Sequence, residues 1–137
     1  MSISDKPSVV HVAVGVILNP AGQILIAKRA ANLHQGGLWE FPGGKVDAGE
    51  SVQQALSREL MEELAIGVSS CSAFMEIHHD YGDKSVFLDV WIVDAFEGEA
   101  RGNEGQAITW VDVLELEDYE FPKANETIVS AIKNLKL

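Results

Sequence analysis

The chain is poor in cysteine, in basic residues and in long apolar runs. Its 137 residues include a single cysteine, Cys71, so no intramolecular disulfide can form and the sequence gives no support for secretion. We expect Cys71 to be a small, half-buried apolar residue. Lys and Arg number 10 against 21 Asp and Glu, a formal net charge of −11. This balance argues against direct nucleic-acid binding, because phosphate-binding surfaces concentrate Lys and Arg.

No apolar segment reaches the length that crosses a bilayer. Residues 1–18 place Lys6 before an apolar stretch, as a signal peptide does. However, Asp5 offsets that charge, His11 interrupts the run, and the β-branched residues favour a strand. We therefore expect a cytoplasmic protein with no membrane partner. The apolar fraction of 47% is ordinary for a globular protein, and the length fits one domain over residues 1–137.

Hydrophobic patterning predicts an α/β (α+β) protein. Residues 9–18 and 23–30 are strand candidates around a turn at Asn19-Pro20-Ala21-Gly22, and we expect them to form a hairpin. Two longer strands are expected at 72–79 and 85–96, with short extended segments at 38–41 and 108–111. A closing helix is expected from about Asn125.

A helix is predicted to open at Ser51. Ser51 lies three residues before Gln54, the arrangement in which each side chain takes a free backbone N–H of the first turn. A core-facing stripe then recurs at every fourth residue, at Val52, Leu56, Leu60 and Leu64. The helical pattern is lost near Gly67.

Three carboxylates share the neighbouring face of this helix. At about 100° per residue, Glu59, Glu62 and Glu63 lie on one side, where like charges three and four residues apart repel. Arg58 can pair with Glu62 and offset part of this repulsion. One interpretation is a solvated acidic face. The alternative is a hard divalent cation such as Mg²⁺, which prefers oxygen ligands.

The residues before the helix favour the second interpretation. The pattern Gly44-x5-Glu50-x7-Arg58-Glu59-Leu60-x-Glu62-Glu63, within residues 44–66, resembles the signature of the Nudix hydrolases. The resemblance implies a mixed β-sheet sandwiched between helices and the hydrolysis of a nucleoside diphosphate linked to another group. It also implies metal binding by the Gly43 and Gly44 backbone and by Glu59, Glu62 and Glu63, with Glu50 and Arg58 in support. The implied cation is Mg²⁺, with Mn²⁺ as the alternative.

One position departs from the family signature. The family has Gly where this chain has Ala65, two residues after the Glu62-Glu63 pair. If residue 65 takes a positive φ to end the helix, Ala costs about 1–2 kcal/mol. Otherwise the helix continues and stops near Gly67.

The resemblance extends to the MutT branch of the family, which removes pyrophosphate from oxidised guanine nucleotides such as 8-oxo-dGTP. The matching segments are 41–45, 91–99, 104–106, 121–122 and 124–126. Glu104 matches the remote carboxylate that completes the metal site of this branch. Its alternative is a solvated charge in a Gly-flanked loop.

Asn125 matches the residue of that branch that reads the base. Its amide can both donate and accept, so it can distinguish the N7–H of an oxidised purine from the N7 acceptor of guanine. The alternative is an ordinary helix N-cap. Further nucleotide contacts implied by the resemblance are Arg29, His34, Phe41, Lys45, Asp83 and Leu88.

Several of these residues also have simpler interpretations. Arg29 can be an exposed cation at a strand end, His34 a loop surface residue, and Phe41 a core residue. His78 and His79 are adjacent in a strand and point to opposite sides, so they do not form a metal-binding pair.

The leading hypothesis is an Mg²⁺-dependent hydrolase that converts a nucleoside triphosphate into a nucleoside monophosphate and pyrophosphate, acting on oxidised purine nucleotides. The expected catalytic residues are Glu59 as the first choice of general base, Glu104 as the second, and Glu62 and Arg58. We expect a monomer or a weak dimer. The alternatives are a Nudix hydrolase of pyrimidine triphosphates or nucleotide sugars, and a non-catalytic nucleotide-binding module, against which the intact carboxylates argue.

Overall fold

The computed structural model describes residues 8–30, 36–82 and 84–135. In chain order, these residues form β1 (Ser8–Ile17), β2 (Ile24–Lys28), β3 (Trp39–Glu40), β4 (Gly43–Lys45), α1 (Val52–Leu64), β5 (Gly67–Asp80), β6 (Lys84–Glu97), β7 (Ile108–Val111), a 3₁₀ helix (Val113–Asp118) and α2 (Lys123–Lys133).

The strands form two sheets. The larger has the order β4-β1-β6-β5, and the smaller has the order β3-β2-β7. β1 runs parallel to β6 from the pair Ser8–Lys84 to the pair Ile17–Val93, whereas β4 and β5 are antiparallel to their neighbours. The larger sheet is therefore mixed, as predicted, and β1 lies at its centre beside the short glycine-containing β4.

The predicted hairpin of residues 9–18 and 23–30 is wrong. The turn itself forms, because the Asn19 side-chain oxygen accepts from the N–H groups of Ala21 and Gln23 at 3.1 and 2.9 Å. The two strands then separate into different sheets and share only the isolated bridge between Leu18 and Ile24. The physical reason is that β4 and β6 already occupy both edges of β1.

Alternation along the central strands places the core on both sides of the larger sheet. Ala13 and Ile17 of β1 pack with α1, whereas Val14 and Val16 pack in the cluster that includes α2. β2 alternates in the same way, because Leu25 joins the α1 cluster. Successive residues of a strand point to opposite faces, so one strand serves two layers. The expected sandwich of sheet between helices is confirmed.

The predicted α1 forms with the expected cap. Ser51 accepts from Gln54 N–H at 3.1 Å, and Gln54 accepts in return from Ser51 N–H at 2.9 Å. Ala65 ends the helix in the left-handed conformation, at φ 59° and ψ 33°. The chain then enters β5 at Gly67, so the helix does not run on.

Other elements differ from the sequence prediction in extent. β5 and β6 are longer than expected and contain irregular register near Ser70 and Ala73. The 3₁₀ helix was not predicted, and α2 begins at Lys123 rather than near Asn125. Cys71 is half-buried, as expected, and burial raises the pKa of its thiol. Within the described residues, no helix is long and apolar enough to cross a bilayer.

Candidate active site

The two glycines of β4 allow close approaches on either side of the strand. β4 pairs with β1, with Gly43 opposite Val14 and Gly44 opposite Ala13. A Cβ at Gly43 would overlap the carbonyl oxygen of Ala13, and a Cβ at Gly44 would overlap the carboxyl group of Glu59. The backbone of β4 therefore lies directly against the first of the predicted carboxylates.

Arg58 organises the acidic residues around the start of α1. Its Nε and Nη2 donate to the two carboxylate oxygens of Glu50 at 2.8 and 3.0 Å, and its Nη1 donates to Glu59 at 2.9 Å. Nη2 also donates to the carbonyl of Lys45 at 3.0 Å, which ties the helix to β4. Hydrogen bonds from Arg58 lower the pKa of Glu50 to about 2. The supporting role predicted for these two residues is consistent with this geometry.

Glu63 lies in the most acidic environment of the predicted set. Burial, followed by the charges of Glu59, Glu104 and Glu40, raises the pKa of its carboxyl group to about 8, although the backbone N–H of Gly43 lowers it. Three glutamates from different elements thus act on one side chain. A bound cation would relieve this repulsion, because it favours the ionised form of each neighbour.

The carboxylates are near one another but are not gathered around one point. Among the described residues, no group of three or more His, Cys, Asp or Glu side chains already forms a metal cage. Glu62 is 55% exposed and lies 3.6 Å from Arg58, whereas Glu59 is 17% exposed. The donor set is nonetheless made of oxygen atoms from carboxylates, which fits a hard cation such as Mg²⁺.

Glu104 is brought to the same side as Glu63. The two residues line a cavity of about 210 Å³ together with Glu40 and Gln106. Glu104 is exposed at the tip of its loop and faces a cavity that a ligand can enter. The side chain is exposed, as the alternative interpretation of a solvated charge in a Gly-flanked loop also expects.

A larger cavity of about 410 Å³ adjoins the β4 glycines. It contains five of the predicted nucleotide contacts together with both glycines: Arg29, Phe41, Gly43, Gly44, Lys45, Leu88 and Asn125. An adjoining cavity of about 210 Å³ shares Arg29, Leu88 and Asn125 with it and continues towards His79 and Tyr81. The structure therefore brings these widely separated residues to one cleft beside the carboxylates.

Asn125 is not the N-cap of α2. The cap position is Pro122, and Asn125 is the third residue of the helix. Its side-chain oxygen faces the backbone N–H of Phe41 at 3.4 Å, so the amide is directed across the cleft and not along its own helix. Phe41 itself is 4% exposed and stacks on Phe121 with ring centroids 5.3 Å apart. Phe41 is thus a core residue whose edge borders the cleft.

Arg29 is half-buried and ion-paired, which contradicts its interpretation as an exposed cation. Its Nη1 donates to both carboxylate oxygens of Glu40 at 2.8 and 3.1 Å. Burial raises the pKa of Glu40, although Arg29 opposes the shift. This pair borders both the larger cavity and the cavity that contains Glu63.

Sequence reasoning missed several residues of the cleft. Glu40 immediately precedes the predicted segment 41–45, and this position in the sequence could have indicated that it lies at the site. His79 and Tyr81 reach the cleft from the end of β5, which no local pattern indicated. His78 instead stacks on Phe87 at 4.7 Å, so the two adjacent histidines do point to opposite sides. The predicted contacts His34 and Asp83 lie outside the described residues.

A further cavity lies outside the predicted site. It has a volume of about 540 Å³ and is located between the 3₁₀ helix and α2, beside Leu116, Val129 and Lys133. None of the predicted site residues lines it. Its size therefore does not identify it as the functional site.

A family model described as the NUDIX domain matches residues 13–131, which contain both the helix with its carboxylates and the cleft. The chain belongs to the Nudix family, and the predicted resemblance is confirmed. Members of this family are generally dependent on a divalent metal.

Curated relatives resemble the chain over nearly its whole length. An 8-oxo-dGTP diphosphatase of Escherichia coli (strain K12) is 39% identical over 125 residues, which cover 91% of this chain and 97% of the relative. A CTP pyrophosphohydrolase of the same organism is 36% identical over 123 residues, which cover 90% and 91%. The first of these relatives supports the predicted branch of the family.

A solved structure agrees with this relationship. It comes from a study of MutT from Aliivibrio salmonicida and Vibrio cholerae, with a TM-score of 0.82 and 42% identity. The alignment covers 93% of this chain and 100% of that one. The predicted fold class is therefore confirmed.

Proposed function

We propose that the protein is an Mg²⁺-dependent nucleoside triphosphate pyrophosphohydrolase that acts on oxidised purine nucleotides such as 8-oxo-dGTP. The observation that carries this proposal is that the cleft beside Asn125 and the acidic cavity share the Arg29–Glu40 pair in their linings. Arg29 and Glu40 border both spaces, so a nucleotide seated beside Asn125 would extend its phosphates towards Glu63 and Glu104.

The acidic side chains supply the groups that hold the cation. Glu59, Glu62, Glu63 and Glu104 are the proposed carboxylate ligands, with the Gly43 and Gly44 backbone beside them. When bound, Mg²⁺ neutralises the charge of the diphosphate and makes the attacking water more acidic. Glu62 would have to turn from its exposed position near Arg58 to take part.

Arg58 and Glu50 orient the helix that carries these ligands. The paired hydrogen bonds between them fix the guanidinium, which in turn holds the carboxylate of Glu59 at 2.9 Å. Glu59 remains the first choice of general base and Glu104 the second, because a carboxylate saturated with metal accepts a proton poorly. Because both base candidates are also proposed ligands, Glu59→Gln and Glu104→Gln should each lower metal affinity as well as kcat, and the variant with the larger fall in kcat identifies the base.

The cleft supplies the selectivity for the base. The Asn125 amide lies at its edge, and an unpaired polar group in such a half-buried place costs about 1–3 kcal/mol. An oxidised purine presents a donor at N7 to the Asn125 oxygen, whereas guanine presents an acceptor. Lys45 and Leu88 line the same space, with Lys45 at the end nearest to Gly44.

The decisive experiment compares kcat/KM for 8-oxo-dGTP, dGTP, dATP and CTP with Mg²⁺ and with EDTA. We expect pyrophosphate release only with the metal, and a preference for 8-oxo-dGTP over dGTP of at least about tenfold. Equal rates on these two nucleotides would refute the selectivity. A preference for CTP would instead favour the alternative of a pyrimidine triphosphate hydrolase. CTP is the pyrimidine nucleotide tested because the chain is 36% identical to a CTP pyrophosphohydrolase. If no nucleotide were hydrolysed, the proposed enzyme activity would be refuted and the alternative of a non-catalytic nucleotide-binding module would be favoured.

A further inference from the structure

The loop that carries Glu104 is attached to the C-terminal end of α1. The last carbonyl groups of a helix have no partner within it. Here Arg101 N–H donates to the carbonyl of Leu64 and Asn103 N–H to that of Glu63, both at 3.0 Å. The Asn103 side chain also donates to the carbonyl of Glu62 at 3.0 Å. The loop therefore satisfies three consecutive carbonyl groups of the acidic turn.

Gln106 makes a different kind of contact in the same loop. Its side-chain oxygen accepts from the backbone N–H of Glu104 at 2.9 Å, and its side-chain nitrogen donates to the carbonyl of Glu63 at 3.0 Å. One half-buried amide thus joins the backbones of two glutamates that are 41 positions apart in the sequence. The Gln106 amide supplies both the donor and the acceptor that this bridge uses, and an Asn amide would be one methylene shorter.

The surrounding loop leaves Gln106 little freedom to move. Gly105 N–H donates to the carbonyl of Gly102 at 3.0 Å, which closes a tight turn with Glu104 at its tip. A Cβ at Gly102 would overlap the backbone carbonyl of Gln106, so the absence of a side chain lets the loop fold back. On the other side, the carbonyl of Ala107 accepts from Lys28 N–H at 2.9 Å, which anchors the loop to β2.

We propose that Gln106 is a positioning residue that fixes Glu104 relative to Glu63, so that both carboxylates meet one cation. This inference rests on the proposed function, because it takes both glutamates as ligands. An exposed carboxylate at a loop tip would otherwise move away from the neighbouring negative charges. Hydrogen bonds that orient the ligands of a metal commonly contribute about 10–100-fold to metal affinity or activity.

The test replaces Gln106 with Met, which has a similar shape and forms neither hydrogen bond. Mn²⁺ binding to the nucleotide-free protein, measured by isothermal titration calorimetry, should weaken by about tenfold. We expect kcat with Mg²⁺ to fall by about tenfold, while KM for the nucleotide changes by less than about twofold, because Gln106 lines the acidic cavity and not the cleft proposed to hold the base. A purely structural role would lower the amount of folded protein without this pattern.

Asn103→Ala is the matched control. It removes a bond of the same length to the same helix end but leaves the Glu104 backbone bonded to Gln106. We expect less than about a twofold change in Mn²⁺ affinity and in kcat. Equal losses in both variants, or unchanged Mn²⁺ binding in Gln106→Met, would overturn the positioning role. If the wild type is active and Gln106→Met is equally active, only this inference is contradicted. If the wild type is inactive, the proposed function is contradicted.

Hydrogen exchange provides a measurement that does not depend on a folded variant. If Gln106 holds Glu104 in the wild-type protein, the Glu104 amide should exchange at least about tenfold more slowly than an exposed, unbonded amide. Fast exchange at Glu104 would overturn the inference even if Gln106→Met did not fold.

Discussion

The carboxyl group of Glu59 occupies the space in which a side chain at position 44 would lie. A Cβ built on Gly44 would be only 2.6 Å from Glu59 Oε1. Helix α1 can approach β4 this closely because position 44 is a glycine. The absence of one methyl group therefore determines where the first proposed catalytic carboxylate is located.

Gly44→Ala should lower activity much more than stability. The added methyl group meets the carboxyl group of Glu59, which can turn away if it gives up its hydrogen bond with Arg58, so the fold survives but the carboxylate is displaced. A displacement of about 1 Å in a catalytic group can cost about 100-fold in rate, and we expect a fall in kcat of this order. Steady-state kinetics and thermal unfolding measure the two effects.

Alanine variants at two other glycines serve as comparisons for this prediction. Gly43→Ala should unfold or strongly destabilise the protein, because its methyl group would overlap the backbone carbonyl of Ala13. Gly67→Ala, which would meet only the end of Met61 at 3.7 Å, should retain activity. Full activity in Gly44→Ala would show that Glu59 need not stay where the structure places it.

Glu63→Gln should stabilise the metal-free protein at alkaline pH. The pKa of Glu63 is raised to about 8, so between pH 4.5 and 8 the folded state binds more protons than the unfolded state and stability falls as pH rises. Removing this carboxylate should raise the free energy of unfolding in EDTA at pH 8 by an amount on the order of 2 kcal/mol. The gain should disappear near pH 4.

Chemical denaturation in EDTA at several pH values measures this effect, with Glu99→Gln as a matched loss of charge at an exposed position. The same Glu63→Gln protein should be inactive and should gain no stability from Mg²⁺. If its stability followed the wild-type pH dependence, the repulsion would have to arise at another residue.

Ala65→Gly should stabilise the protein without altering its activity. Ala65 is the one non-glycine residue with a positive φ in the described part of the chain, at 59°. Glycine adopts this conformation without the cost of a Cβ, so we expect a gain of about 1 kcal/mol and a rise in Tm of a few degrees. Ala48→Gly, in an exposed turn with an ordinary φ, should give no gain. An unchanged or lower Tm in Ala65→Gly would mean that other contacts compensate the strain.

The local parts of the site were predictable from the sequence, because they depend on residues that lie close together along the chain. The cap at Ser51 follows from the residue types at positions 51 and 54, and the acidic face of α1 follows from helical periodicity. The separation of β1 and β2 was not predictable in this way, because it depends on β4 and β6 competing for the edges of β1. Local turn residues fix a turn but not the partner of each strand.

The contacts across the cleft were also beyond local patterns. Glu40 and His79 line the cleft only because two sheets bring distant segments together. The bridge made by Gln106 joins backbone groups, which leave no trace in side-chain periodicity. The resemblance to a family predicted Glu63 and Glu104 as ligands, but it did not indicate the Gln106 amide that joins their backbones.

Asn125→Ala separates base recognition from helix capping. Because Pro122 occupies the cap position and the Asn125 oxygen faces Phe41 N–H at 3.4 Å, the substitution should change the Tm by no more than a few degrees. We expect the ratio of kcat/KM for 8-oxo-dGTP to that for dGTP to fall by about tenfold, the equivalent of one lost hydrogen bond in a half-buried place. Asn134→Ala, at the other end of α2, is the control for changes in the helix alone and should keep the wild-type ratio. A large loss of Tm in Asn125→Ala with an unchanged ratio would assign the residue to the stability of the cleft wall, and base selection would then have to come from Arg29 or from the backbone at Phe41.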